Sequence, residues 1–128
     1  MKKSIFAASI LCLTFVLLVG NVFSEPKPIF IKVSPGTIVI GSDVTWVTVH
    51  TDIPLRAVDC STVTLNGISV AWTKADTKGN LVAKFNFNKI ENIVTPPNAI
   101  LTLRGLTKDG IPFAGSDTVI VRKGGPKK

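Results

Sequence analysis

With 128 residues and no internal repeat, the chain is sized for one ordinary domain. Fifteen Lys and Arg against eight Asp and Glu give a formal charge of +7, but the basic residues are dispersed and Tyr is absent, which argues against a nucleic-acid platform. The two cysteines, Cys12 and Cys60, and the single His50 form no C-x-x-C, C-x-x-H or H-E-x-x-H spacing, so the sequence encodes no zinc or dithiol motif and implies no cofactor.

The chain begins Met1-Lys2-Lys3, continues as an apolar run from Ile5 to Val19, and passes through Gly20-Asn21-Val22-Phe23-Ser24. A basic start, an apolar core and small residues before a cut are the parts of a secretory signal. The expectation is cleavage between Ser24 and Glu25. An uncleaved anchor is the alternative, but a run of about 15 residues falls short of the roughly 20 that span a bilayer. Cys12 sits inside the run rather than at its end, which argues against lipidation. Cleavage leaves a β domain over 25–122 and a basic tail over 123–128, secreted to the periplasm or the exterior, with a net charge of about +5 once Lys2 and Lys3 are gone.

After an extended Glu25-Pro26-Lys27-Pro28 lead-in, short segments rich in Val, Ile, Thr, Phe and Trp alternate with Pro, Gly and Asn turns. Strands are predicted at Ile29–Val33, Thr37–Ile40 and Val44–Thr51, with a type II turn at Ser34-Pro35-Gly36 between the first two. Asp52-Ile53-Pro54-Leu55 breaks the third strand. Val63-Thr64-Leu65 and Ile68-Ser69-Val70 flank Asn66-Gly67, the pair best suited to a type I′ hairpin. After the loop Asp76–Asn80, Leu81, Ala83, Phe85 and Phe87 line one face of a strand, and Val82, Lys84, Asn86 and Asn88 the other. Residues 89–99, with Pro96-Pro97, read as a connection. Ile100–Leu106 and Thr118–Arg122 close the chain around Thr107–Gly110. No amphipathic helix is expected. Seven or eight such strands predict an all-β, two-sheet antiparallel sandwich, with a barrel as the alternative.

Ile31-Lys32-Val33-Ser34-Pro35-Gly36 resembles the I-x-I-x-P-G opening of an immunoglobulin-like β-sandwich module common in secreted bacterial proteins. Ser61-Thr62-Val63-Thr64-Leu65-Asn66-Gly67 is similar to its S-T-V-x-L-N-G hairpin. The run Leu103 to Val119, with Asp109-Gly110, Phe113, Gly115 and Asp117, resembles its L-x-G-x-x-x-D-G-x-x-F-x-G-x-D-x-I close. The resemblance spans most of residues 29–122 and rests on turn and core residues. It implies an immunoglobulin-like accessory domain of a larger exported system, with no general assigned activity. Related modules often carry several aspartates where this chain has Asp76, Thr77 and Asn80 around Lys78. One carboxylate beside a cation makes a poor calcium cage, so an ordinary polar turn is expected.

Nothing assembles catalytic chemistry. His50 lies at a strand end, and Cys60, ten residues on, has no orienting partner. Cys60 reads as a small packed hydrophobe, or as a thiol that pairs with another chain. Most aspartates, including Asp59 and Asp117, fall at turns or strand ends, where they cap backbone amides. Trp46 reads as core. Trp72 is the less settled aromatic: exposed, it is a flat platform for a sugar or an anchor for a protein. The expected function is a non-catalytic interaction or structural module that binds a protein partner or itself, through a sheet edge or by donating Glu25–Ser34 as a strand. The alternative is a carbohydrate-binding module that contacts polysaccharide through Trp72, Lys74, Asn86 and Asn88. No nucleic-acid partner, metal or stable membrane span after cleavage is expected.

Overall fold

Period-two alternation produces ten strands among the described residues: β1 (Lys27–Pro28), β2 (Ile31–Ser34), β3 (Thr37–Ile40), β4 (Trp46–Pro54), β5 (Val58–Leu65), β6 (Ile68–Ser69), β7 (Trp72–Ala75), β8 (Asn80–Asn86), β9 (Asn98–Thr107) and β10 (Pro112–Lys123). The computed structural model describes residues 25–124; the signal peptide expected over 1–24 and residues 125–128 lie outside the described residues. The strands form two sheets. One has the order β2-β4-β8-β7; the other runs β1-β10-β9-β5-β6, with β3 also paired to β10. This is the split of an immunoglobulin-like sandwich.

Both inner faces are apolar. Val47 and Val49 of β4 and Leu81, Ala83 and Phe85 of β8 meet Leu65, Leu101, Leu103, Phe113, Val119 and Val121 of the opposite sheet in one buried cluster. Each fully buried side chain of this size contributes about 1.5–3 kcal/mol. Two glycines keep strands and crossings close. A Cβ on Gly115 would lie 2.5 Å from the Ile29 carbonyl oxygen, and one on Gly105 would lie 2.6 Å from the Phe113 ring.

The Asn66-Gly67 hairpin forms as expected, with φ of 49° and 86° at the two turn residues. The opening differs from expectation. Ser34-Pro35-Gly36 is not a type II turn: Gly36 lacks the positive φ that turn requires, and the Ser34–Pro35 peptide is cis. Here the chain crosses between sheets, so β2 and β3 do not pair with each other. Instead β1 and β3 lie parallel to β10, and the lead-in is held within its own chain by Lys27↔Phe113 and Pro28↔Ala114 pairing.

Further boundaries shift: the last strand begins at Pro112 rather than Thr118, β9 runs from Asn98 to Thr107, and β7 is a strand where none is predicted. β4 runs on to Pro54, followed by a 3-10 turn at Leu55–Ala57. β8 stops at Asn86, whose Oδ1 accepts the Asn88 amide at 2.9 Å and caps a helical turn, α1 (Phe87–Glu91), burying Phe87 and Ile90. β5 begins at Val58, five residues before the expected start, and reaches Val63 through a bulge. In that bulge Asp59 Oδ1 accepts from the Ser61 amide and hydroxyl, and Thr62 Oγ1 accepts the Leu106 amide at 2.8 Å in place of a ladder carbonyl.

Candidate functional site

Because Leu81, Ala83 and Phe85 point inward, the alternate residues of the β2-β4-β8-β7 sheet share its solvent face: Trp46, Thr48 and His50 on β4, Lys84 and Asn86 on β8, Trp72 and Lys74 on β7. Ladder register sets Trp72 opposite Lys84, Lys74 opposite Val82, and Trp46 opposite Asn86. Trp72 is 42% exposed. The Trp46 and Trp72 rings stand perpendicular at 6.0 Å, and Lys84 Nζ lies 5.6 Å over the Trp72 ring while donating to Thr48 Oγ1 at 2.7 Å. The lysine therefore holds one face of the indole.

Of the four contact residues expected from sequence, Trp72, Lys74 and Asn86 reach this face. Asn88 does not belong to the strand; it sits on α1, and Asn86 is engaged in capping that turn. Trp46 was expected in the core and instead is half-buried on the outer face. Its alternation with the fully buried Val47 and Val49 is the signal that assigns it there.

The second candidate lies where the two sheets part at β5 and β7. A groove of about 890 Å³ is lined there by Leu55, Val58, Cys60 and Ala75, with Arg56, Lys78 and Lys108 supplied by three separate turns. Its wall includes Asp59, whose Oδ1 is occupied by Ser61. Arg56, Lys78 and Lys108 form no ion pair among the described residues. Cys60 is half-buried, packs against the core and accepts from Thr73 Oγ1 at 3.5 Å. It is thus part packed hydrophobe and part groove wall.

The two edges of the β2-β4-β8-β7 sheet are finished differently. On β2, the Asp52 amide bonds the Phe30 carbonyl, so ladder alternation turns the backbone groups of Ile31 and Val33 away from β4 while their side chains stay in the core. The Val33 amide is then taken by Asp117 Oδ2 of β10 at 2.9 Å. On β7, the Asp76 amide bonds the Asn80 carbonyl at 2.9 Å, and the same alternation turns the backbone groups of Thr73 and Ala75 away from β8. No other described residue accepts from those two amides. The free edge of β7 borders the groove, which Thr73 and Ala75 line.

Asp76 organises the β7–β8 turn. Its Oδ1 accepts the Asn80 amide at 2.9 Å and the Lys78 amide at 2.8 Å, and the Asn80 bond above all holds its carboxyl below the ordinary 3.8. His50 faces solvent on the outer sheet and Cys60 faces the groove, so the turn at Pro54 does not bring them together. Among the described residues no three His, Cys, Asp or Glu side chains gather as a metal cluster, and no helix is long and apolar enough to cross a membrane. Comparison with protein families, curated proteins and solved structures yields no match.

Proposed function

We propose that this chain is an exported, non-catalytic interaction module that binds a protein partner by adding a strand to the free edge of β7. The observation that carries this reading is the asymmetry of the two edges: Asp117 occupies one of the two outward amides of β2, that of Val33, whereas neither the Thr73 nor the Ala75 amide on β7 has an acceptor among the described residues. Unpaired strand edges are templates for another chain, and proteins commonly block the edges they do not use. The basic and apolar opening of residues 1–24 supports export, and the resemblance of the turns to accessory modules of exported bacterial proteins supports an auxiliary role.

The test is cross-linked co-purification from the native host with wild-type protein and with Ala75→Pro. Proline at this position removes an outward amide that β8 does not use, so the fold tolerates it. A specific protein retained by wild type and lost with Ala75→Pro is the expected result. Recovery of the same proteins by both forms refutes the reading.

A second reading follows from the exposure of Trp72. A carbohydrate-binding face centred on Trp72 and Lys74 predicts that Trp72→Ala weakens retention on polysaccharide far more than the modest fall in melting temperature from the lost Trp46 contact accounts for. Lys84, seated over the indole, has to move aside for a sugar to stack on that side.

A further inference from the structure

The groove beside β7 also indicates what kind of segment binds there. We propose that it receives an acidic, extended peptide segment of a partner protein, whose backbone pairs with Thr73 and Ala75 and whose carboxylates meet Arg56, Lys78 and Lys108. The inference rests on the edge-strand reading above and adds the chemistry of the occupant.

Three observations converge. The first is charge: three cationic side chains from the 3-10 turn, the β7–β8 turn and the β9–β10 turn line one groove, against a single carboxylate already engaged by Ser61. Three cations against one carboxylate leave the lining net positive, which raises the local concentration of an anionic segment and repels a basic one. The second is backbone: an outward amide recurs every second residue along β7, at Thr73 and Ala75, which matches an incoming strand rather than a sugar chain. The third is the apolar floor of Leu55, Val58, Cys60 and Ala75, which accepts the inward side chains of that strand, every second one along it. A second copy of this chain is a poor occupant, because the processed protein is itself basic, with a net charge of about +5.

Cys60 in the groove wall provides the readout. Its alkylation by iodoacetamide is followed by mass spectrometry on the Cys60 peptide, in the full-length protein, with synthetic peptides of about 10 residues alternating Val with Glu or Val with Lys. The Val/Glu peptide is expected to slow alkylation severalfold at low salt. The Val/Lys peptide is not, and protection falls away in about 0.5 M NaCl as screening shortens the reach of the cations. Arg56→Glu with Lys78→Glu abolishes protection while the melting temperature stays near wild type. Ala75→Pro abolishes it by blocking the strand edge.

Equal protection by both peptides, or protection that survives Ala75→Pro, overturns the proposal. So does protection by a polyuronate but not by the Val/Glu peptide. If the Val/Glu peptide fails while co-purification still depends on Ala75, the acidic occupant is wrong and the interaction reading stands. If both fail, both fall.

Discussion

Gly115 faces inward on β10 between the buried Phe113 and Val119, and the crossing segment before β2 passes directly over it. A methyl group there meets the Ile29 carbonyl oxygen at 2.5 Å and Ile31 Cγ2 at 2.9 Å, so either the crossing or β10 has to shift. Gly115→Ala is expected to cost about 1–3 kcal/mol in urea unfolding, the range for forced overpacking; a change under about 0.5 kcal/mol means that the crossing is loose. At Asp76 the expected effect depends on pH. The carboxyl titrates below 3.8 in the folded protein, so its stabilising contribution is complete above that value and is lost as pH falls through the lowered folded pKa. Asp76→Ala should therefore melt below wild type at neutral pH, and the gap should narrow as pH falls below 3.8 through the lowered folded pKa. A gap that closes near neutrality assigns the effect to another group.

At the scale of elements, legibility follows how local the determining forces are. The Asn66-Gly67 hairpin could be read because two adjacent residues with positive φ decide it. The run Asp59-Cys60-Ser61-Thr62 reads as loop, since polar residues break the alternation; in the fold their side chains replace missing ladder bonds and carry β5 through a bulge. The end of β8 is not legible because Phe87 keeps the inward phase of Phe85, and only the capping bond from the Asn88 amide to Asn86 shows that a helical turn has begun. The parallel pairing of β3 with β10 joins Thr37 to Ile120, a partner no local pattern specifies. On the candidate site, Trp72 and Lys74 are singled out as an unsettled aromatic and its neighbour, and only the pairing of β7 with β8 fixes their face; the groove is not legible, because its cations come from turns far apart in the chain. The two faces of the β2-β4-β8-β7 sheet separate by mutation. Phe85→Ala empties a fully buried position and should cost about 3–5 kcal/mol. Trp72→Ala removes a half-exposed ring and its edge contact with Trp46, and about 1.5 kcal/mol is the upper bound expected in the same urea titration. Equal losses at the two positions place Trp72 in the core and end the surface readings together.

For the whole molecule, blocking an amide on one edge and none on the other has a consequence that reaches across both sheets. Asp117 belongs to β10, yet its carboxylate caps an edge amide of β2 in the opposite sheet, so one side chain both ties the two layers together and blocks a strand template. Asp117→Ala leaves the part-buried Val33 amide without an acceptor, which costs about 1–3 kcal/mol. It also gives the sheet a second free edge. The variant should thus lose stability in urea and, while still folded, self-associate with rising concentration in sedimentation velocity, although the wild-type groove repels other copies by charge. Asp117→Asn keeps an acceptor oxygen at the same position and is expected to restore both properties in large part. If Asp117→Ala is destabilised but sediments as wild type at every concentration, the carboxylate serves only as an inter-sheet tie, and the edge asymmetry loses its value as evidence for a docking strand at β7.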